Sequence, residues 1–323
     1  MPRPSFPTTL LEFQRQFSTD EGCYAYVLRS RWPDGFKCPK CHNGTAYDRL
    51  ARRQVECSKC GYCVSITAGT IMHKSKLSLS VWLWAAWLMV SSKGGIAALE
   101  LSRQLGISRE SAFTLLHKLR HAMVAPERTS LEGRIEVDET YIGGPVRGRG
   151  PGKFKGAQDI VVGAVEVRDR RPYRIRLRVV EDADRVNLHK FIRDVVEPGS
   201  TVVTDGNPAY LALDGYEHVR EVEGRAGRSK CDVLVHFHTA VSNLKAWLAG
   251  SHHGAVSSGH LQAYLNEFAF RYNRRGNLGA AFARLLELAP LVGTLTYDDI
   301  YAEHPPRKNA ARRRSLEGKL NRR

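Results

Sequence analysis

Hydrophobic and polar residues alternate at every second position in three segments of the second half of the chain, and this period predicts β-strands. The three strands are expected at residues 134–142, 159–168 and 173–180. Helical spacing of apolar residues follows in 186–196, and a short apolar strand follows in 200–204. Because a helix that connects two strands implies parallel pairing, we predict an antiparallel meander extended by one parallel strand.

Two further amphipathic helices follow these strands, at residues 236–248 and 259–275. Three strands, a helix, a strand and then helices is the element order of a ribonuclease-H-like domain. We therefore expect an α/β protein whose ribonuclease-H-like mixed-sheet catalytic domain spans residues 130–292.

The segment that precedes the strands has a helical pattern. Residues 77–90 are too rich in tryptophan and leucine for a surface helix, so they predict a buried one. An apolar stripe from Ile96 to Leu105 ends at Gly106, and Ser108 is the expected N-cap of a second helix. This pattern predicts a helix-turn-helix, with an ordinary helical hairpin as the alternative. Four residues of the second helix would then face the major groove of DNA: Arg109, Glu110, Thr114 and Lys118.

Four cysteines near the N-terminus have the spacing of a metal site. They form a CPKC pair and a CSKC pair, at Cys38, Cys41, Cys57 and Cys60. Two C-x2-C pairs separated by fifteen residues predict a zinc ribbon that holds structural Zn²⁺ in tetrahedral geometry. Cys63 is a weaker candidate ligand, and we interpret Cys23 and Cys231 as structural residues.

The composition fits a chain of several small domains. It has 323 residues, of which 42% are hydrophobic, and its longest apolar run, Val81 to Val90, is half of a membrane span. We see no secretory signal and expect a cytoplasmic protein. The predicted domains are a helical lead at 1–30, a zinc ribbon at 31–68, a helix-turn-helix at 77–126, a catalytic domain at 130–292 and a basic tail at 303–323.

The chain carries a formal charge of +16, which predicts attraction to a polyanion, with double-stranded DNA as the leading partner. The excess is concentrated in residues 145–156 and in the tail from Pro305 to Arg323. The first stretch offers four candidate phosphate contacts: Arg147, Arg149, Lys153 and Lys155. The alternative is that both stretches are solvated and serve only solubility.

Two aspartates lie on predicted strands that should be neighbours. Asp138 is in the first strand, and Asp205 follows the short apolar strand. Parallel pairing of these strands would bring the two carboxylates to one edge of the sheet. Two close carboxylates repel each other unless a divalent cation lies between them, so the pair is a candidate Mg²⁺ or Mn²⁺ site.

A third metal ligand is expected on a later helix. His238 and Lys245 are seven residues apart, which is two helical turns, so both flank the same apolar stripe. The histidine is the candidate ligand, and the lysine is a candidate phosphate contact. Glu267 is the alternative third ligand, because carboxylates bind magnesium better than imidazole does, and Glu136 is a weaker option. Three arginines near Glu267 are candidate DNA contacts or partners for its carboxylate: Arg271, Arg274 and Arg275.

Taken together, these segments resemble the bacterial insertion-sequence transposases of the DDE superfamily that carry an N-terminal zinc ribbon. The matching segments are CPKC, CSKC, VDETYIGG, TDGNPAY, HFHTAVSNLKAWLAGSHHG and YLNEFAFRYNRR. The resemblance implies that Asp138 and Asp205 are the first two catalytic acids. It also implies that His238 and Lys245 take the place of the family's usual third glutamate and its following lysine.

The predicted function is therefore a transposase that cuts the ends of its element and transfers the freed 3′-hydroxyl to target DNA by two-metal catalysis. The zinc ribbon and the helix-turn-helix would bind the terminal repeats, and pairing of two ends favours a homo-oligomer on DNA. Two alternatives stay open: a catalytically inactive sequence-specific DNA-binding protein, and a ribonuclease-H-like nuclease that cuts without strand transfer.

Overall fold

The computed structural model describes residues 6–126, 128–143, 158–221, 233–252 and 256–301, without the side chains of Leu278 and Tyr301. Cys231, the predicted basic stretch at 145–156 and the basic tail at 303–323 lie outside these ranges. The described chain forms two compact units, one of residues up to 128 together with 274–300, and one that holds residues 129–273.

The strands, in chain order, are β1 (Ala46–Arg49), β2 (Gln54–Cys57), β3 (Cys63–Ser65), β4 (Arg134–Ile142), β5 (Asp159–Arg168), β6 (Arg171–Val180), β7 (Thr201–Thr204) and β8 (Glu217–Arg220). The α-helices are α1 (Leu10–Gln16), α2 (Asp20–Arg31), α3 (Leu79–Ser91), α4 (Ala98–Leu105), α5 (Arg109–Ala122), α6 (Arg185–Val195), α7 (Val235–His252), α8 (Leu261–Tyr272), α9 (Leu278–Leu288) and α10 (Tyr297–Tyr301). None of the described helices is long and apolar enough to cross a membrane.

The first unit contains a small three-stranded antiparallel sheet, β1-β2-β3. Helix α2 is bound to this sheet by side-chain hydrogen bonds. The Tyr24 hydroxyl donates to the Gln54 carbonyl at 3.0 Å, and the Arg31 guanidinium donates to the Ser65 carbonyl at 3.0 Å. Residues of the predicted helical lead therefore belong structurally with the ribbon, because α2 satisfies backbone carbonyls at its edge.

The core of the first unit contains the tryptophan-rich helix α3, which is buried as its composition predicts. Helix α9 is part of the same core, since the Phe282 ring packs against four aromatic rings: Phe13, Phe17, Tyr26 and Trp87. The predicted catalytic domain, which extends to residue 292, would include α9. The second unit ends at Asn273, because the aromatic cluster holds α9 in the first unit.

Helices α4 and α5 are joined by a short turn of the predicted kind. Gly106 ends α4 with a φ of +63°, a left-handed conformation that favours glycine. The Ser108 hydroxyl caps α5 by accepting a hydrogen bond from the Ser111 N–H. The predicted stripe is only partly buried: Leu101 is in the core, whereas Leu99 lies exposed on α4.

The second unit contains a five-stranded mixed sheet in the order β6-β5-β4-β7-β8. Strand β4 pairs antiparallel with β5 and parallel with β7, which is the predicted topology. The β5–β6 hairpin turns at Asp169 and Arg170, whose φ angles are +49° and +58°. The edge strand β8 is an addition to the prediction, and it pairs in parallel with β7.

The sheet has a hydrophobic layer on each face. Alternate residues of β4 point to opposite faces, so Ile135 and Val137 pack with Leu188 and Phe191 of α6. The other face is covered by α7 and α8, whose Phe237, Leu244 and Leu265 are among its core residues. Asp138 therefore points to the face that carries α7.

Candidate metal centres

The four predicted cysteine ligands converge at one point of the first unit. The Sγ atoms of Cys38 and Cys60 are 3.7 Å apart, those of Cys41 and Cys57 are 3.6 Å apart, and all four lie within 4.8 Å of one another. Four thiolates around a tetrahedral Zn²⁺, with zinc–sulfur bonds of about 2.3 Å, are separated by about 3.8 Å. The cluster therefore has the dimensions of a structural zinc site.

The surroundings of Cys57 favour its thiolate form. Burial opposes ionisation of Cys57, but the backbone N–H groups of Cys60 and Lys59 and the side chain of Asn43 outweigh it and lower the pKa of this thiol to about 6. Cys63 is exposed and lies outside the cluster. Cys23 is buried, and burial raises its pKa to about 11, which agrees with a structural role.

The second candidate centre is at the edge where β4 and β7 separate. Backbone pairing of these strands ends with Glu136 opposite Val203. Asp138 is two residues beyond Glu136 on β4, and Asp205 is two residues beyond Val203, directly after the end of β7. The parallel crossover through α6 therefore brings together two aspartates that are remote in the sequence.

The electrostatics of Asp138 reflect this proximity. Its side chain is 9% exposed. Burial, followed by the negative charges of Glu139 and Asp205, raises the pKa of Asp138 to about 7, although a hydrogen bond from the Glu139 N–H opposes the shift. A site that is so unfavourable for a second negative charge suits a divalent cation.

Asp205 lies in a turn that is held by hydrogen bonds. Its Oδ1 accepts from the Asn207 N–H at 2.9 Å. The Asn207 side-chain amide donates to Glu139 Oε1 at 2.9 Å, and the Tyr210 hydroxyl donates to Glu139 Oε2 at 2.7 Å. Burial and then the charge of Glu139 raise the pKa of Tyr210, so it stays a protonated donor.

Glu139 is a site residue that sequence reasoning missed. A sequence signal for it exists, because Glu139 directly follows Asp138, and Asn207 and Tyr210 lie within five residues after Asp205. An acceptor beside Asp138 and two donors beside Asp205 indicate that these two segments are bonded to each other.

The remaining predicted residues of this centre are on α7. His238 is partly exposed in the first turn, and Lys245 is exposed two turns later. Glu136 binds the same turn, since its Oε2 accepts a hydrogen bond from the Phe237 N–H at 2.8 Å. Among the described residues, the four cysteines are the only group of three or more His, Cys, Asp or Glu residues whose ligand atoms all lie within 4.8 Å of one another. The ligand atoms of His238, Asp138 and Asp205 are therefore not all within this distance.

Glu267 is in a different part of the second unit. It is fully buried on α8, and its Oε1 is 3.7 Å from Nη1 of Arg271. Helix α8 packs along the edge strand β6, where Gln262 accepts from the Val179 N–H at 2.9 Å. Two strands of the sheet, β5 and β4, separate β6 from β7. Glu267 thus lies on the side of the sheet remote from Asp205.

The candidate DNA-contact residues differ in exposure. Arg109 and Arg275 are exposed, whereas Thr114 and Lys118 are half-buried and burial lowers the pKa of Lys118. Arg271 is directed inward: its side chain is 13% exposed, and burial lowers its pKa although Glu267 opposes the shift. Burial also lowers the pKa of Arg274. Arg271 thus has the alternative role predicted for it, as a partner of the Glu267 carboxylate, and Arg274 is half-buried.

Comparison with known proteins gives two family matches. Residues 130–273 match the ISXO2-like transposase domain, and residues 18–63 match the transposase zinc-ribbon domain. The first match ends where the second compact unit ends. The second begins before the predicted ribbon and includes α2, in agreement with the hydrogen bonds from α2 to the ribbon sheet.

The chain is also similar to individual proteins. It is 26% identical over 277 residues to the uncharacterized protein in transposable element ISH50 of Halobacterium salinarum, covering 80% of this chain and 92% of the relative. A chain in the cryo-electron microscopy structure of the simian T-cell lymphotropic virus intasome with PP2A regulatory subunit B56 gamma aligns at 13% identity, over 56% of this chain and 66% of that chain, with a TM-score of 0.27. That second similarity is too weak to carry an argument. The two domain matches identify an ISXO2-like transposase domain at residues 130–273 and a transposase zinc-ribbon domain at residues 18–63, and the relative from an insertion element agrees with them.

Proposed function

We propose that this transposase cuts DNA at the ends of its element and joins each freed 3′-hydroxyl to target DNA, with Asp138 and Asp205 as its principal metal ligands. The observation that carries the proposal is that each aspartate lies two residues beyond the last parallel pair of β4 and β7, close enough for the charge of Asp205 to act on Asp138. The raised pKa of Asp138 supports it, because a cation would relieve the repulsion that produces the shift.

The donor set fits a hard divalent cation. Asp138 and Asp205 offer carboxylate oxygens, which are the ligands that Mg²⁺ and Mn²⁺ prefer, and His238 adds an imidazole that Mn²⁺ accepts readily. When bound, Mg²⁺ or Mn²⁺ would activate a water molecule and neutralise the entering and leaving oxygens of an in-line phosphoryl transfer.

Two reactions follow at this site. In the first, a water oxygen bonds to the phosphorus at the element end, and the 3′-oxygen leaves with a proton. In the second, this 3′-hydroxyl gives up its proton as its oxygen bonds to a target phosphorus, and the target's own 3′-oxygen leaves with a proton. Neither reaction needs a serine or tyrosine nucleophile. Lys245 would hold a phosphate of the DNA. The hydrogen bonds from Asn207 and Tyr210 to Glu139 would keep the turn at Asp205 in place.

His238 is favoured over Glu267 as the third ligand. The backbone N–H next to His238 is bonded to Glu136, which lies on the same strand and face as Asp138. Glu267 is paired with Arg271 beside β6, and removing it from that pair would leave a buried guanidinium. The structure of α7 thus supports the ligand set Asp138, Asp205 and His238.

The first unit supplies DNA binding in this proposal. The zinc ribbon and the second helix of the α4–α5 pair would contact the terminal repeats, with Arg109 as the exposed cation at the start of α5. The basic stretch with Arg147, Arg149, Lys153 and Lys155 would bind phosphates, which makes affinity strongly dependent on salt. Bringing two element ends together would require at least a dimer.

The test uses the full chain, a labelled duplex that carries one end of its own element, a target plasmid and Mg²⁺ or Mn²⁺. The proposal predicts a nicked end and a product joined to the plasmid. Nicking without joined product would identify a nuclease, and a band shift without either product would identify a DNA-binding protein. Asp205→Ala should lose both products while keeping the band shift.

A further inference from the structure

We propose that Glu136 is a positioning residue that ties the first turn of α7 to β4 and thereby holds His238 beside Asp138. This inference rests on the proposed function, because it assigns His238 to the metal centre. Glu136 was a weak candidate metal ligand in the sequence. In this inference its buried carboxylate binds a helix rather than a cation.

The first turn of α7 needs an acceptor from outside the helix. The His238 N–H donates to the Leu234 carbonyl at 3.0 Å, so Leu234 is the residue that precedes the helix and Phe237 is its third residue. The N–H groups of the first turn have no carbonyl partner within a helix, and a polar side chain at the preceding residue normally accepts from the third one. The aliphatic side chain of Leu234 cannot do so. Glu136 Oε2 accepts this bond from a strand 101 residues earlier.

The bond fixes one peptide of α7 at one position of the sheet. Glu136 is 5% exposed and is two residues before Asp138, so both side chains point to the face that α7 covers. His238 directly follows the bonded residue, Phe237. A shift of α7 along its axis would break the bond and would carry the imidazole away from Asp138.

A second contact locates the same turn from the neighbouring strand. Gly163 of β5 is the register partner of Asp138. A Cβ atom on Gly163 would stand 2.8 Å from the Phe237 ring, so the ring rests directly on the backbone opposite Asp138. Leu234 has a φ of +47°, a conformation that is unfavourable for a bulky residue and persists only when its surroundings hold it. Glu136 and Gly163 therefore restrain the start of α7 from two strands.

The chemistry of the bond gives a selective test. Glutamine at position 136 keeps a side-chain oxygen that can accept from the Phe237 N–H, although it loses the charge that favours a helix N-terminus. Leucine has a similar size and cannot accept. The proposal therefore predicts that Glu136→Gln preserves the position of α7 and that Glu136→Leu does not.

Two readouts apply to the full chain with its zinc retained. Hydrogen exchange of the Phe237 amide without divalent cation should be slow in the wild type and in Glu136→Gln, and at least about tenfold faster in Glu136→Leu. Mn²⁺ affinity, measured by electron paramagnetic resonance, should be about 10-fold weaker in Glu136→Leu, the usual effect of removing a group that orients a ligand. Glu136→Gln should bind Mn²⁺ with nearly the wild-type affinity.

Glu166→Leu is the matched control for lost stability. Glu166 is a fully buried carboxylate of β5 that pairs with Arg168 and Arg174, away from α7. Glu166→Leu should lower the thermal stability of the chain and leave Mn²⁺ affinity and hydrogen exchange of the Phe237 amide unchanged. Wild-type exchange and affinity in Glu136→Leu would overturn the inference, and so would equal losses in Glu136→Leu and Glu166→Leu. If the wild type and Asp138→Asn bind Mn²⁺ alike, the proposed metal site itself fails, and the exchange data then report only whether Glu136 anchors α7.

Discussion

Asn207 donates its side-chain amide to Glu139 across the gap between β4 and the turn that follows β7. Backbone pairing of the two strands has already ended at this point, since its last pair is Glu136 with Val203. The separation of the carboxylates of Asp138 and Asp205 therefore depends on a side-chain bond as well as on the sheet.

Replacing Asn207 should loosen this edge. We expect Asn207→Ala to reduce Mg²⁺-dependent nicking about 10-fold, because the residues that orient metal ligands contribute about that much. Asn187→Ala, which removes an amide of α6 that donates to the N-cap residue Asp184, should leave nicking unchanged. A nicking rate in Asn207→Ala equal to that of this control would show that strand pairing alone is sufficient.

The raised pKa of Asp138 predicts an unusual dependence of stability on pH. Burial and then the neighbouring charges raise this pKa from 3.8 to about 7, so between these values the folded chain binds a proton that the unfolded chain has lost. Without divalent cation, the free energy of unfolding should fall as pH rises through this range, by about 4 kcal/mol in total. Thermal unfolding of Asp138→Asn should lack this fall.

The corresponding ligand experiment uses the same preparations. Addition of Mg²⁺ at pH 7.5 or so should restore stability to the wild type more than to Asp138→Asn, since a bound cation favours the ionised carboxylate. If the free energy of unfolding depends on pH in the same way in the wild type and in Asp138→Asn, the pKa of Asp138 is not raised by the fold.

His238 and Glu267 should respond oppositely to substitution. We expect His238→Ala to weaken Mn²⁺ binding and nicking with little change in thermal stability, because the imidazole is partly exposed. Glu267→Ala should destabilise the fold by about 3 kcal/mol, since it leaves Arg271 buried without its carboxylate. Its Mn²⁺ affinity at a temperature where it is folded should equal that of the wild type. If only Glu267→Ala loses Mn²⁺ affinity, Glu267 and not His238 is the third metal ligand.

The zinc ribbon should depend on its metal. The chain should contain one Zn²⁺, and Cys57→Ser should lose it together with the protection of ribbon amides from hydrogen exchange, because the ligands stabilise the fold only around the ion. Cys63→Ser is the control, since Cys63 is outside the cluster. Elemental analysis measures the zinc, and full zinc content in Cys57→Ser would remove that residue from the ligand set.

Local patterns in the sequence were sufficient for much of the fold. Strands β4 and β5 begin and end at the predicted residues, because their alternation is long and regular. Strand β8 has only four residues, none of them buried, so its pattern is too weak to predict. Helix α9 was not among the predicted elements. The core that it joins depends on how Phe282 fits an aromatic cluster formed by distant segments.

The candidate site divides in the same way. The four cysteines and the parallel strands that carry Asp138 and Asp205 followed from spacing and element order. The partners of Glu136 and Glu139 did not, because their hydrogen bonds join residues 101 and 68 positions apart. Charge in the sequence also failed to show that Arg271 is covered, which depends on the packing of α8.

The most direct test of the account is Mg²⁺-dependent nicking of an element-end duplex by Asp138→Asn and Asp205→Asn. Asp194→Asn is the matched control, because Asp194 is an exposed residue of α6 in the same unit that pairs with Arg178. The first two variants should bind the duplex like the wild type and produce no nicked DNA, while the control should nick normally. Wild-type nicking by either Asp138→Asn or Asp205→Asn would contradict the account.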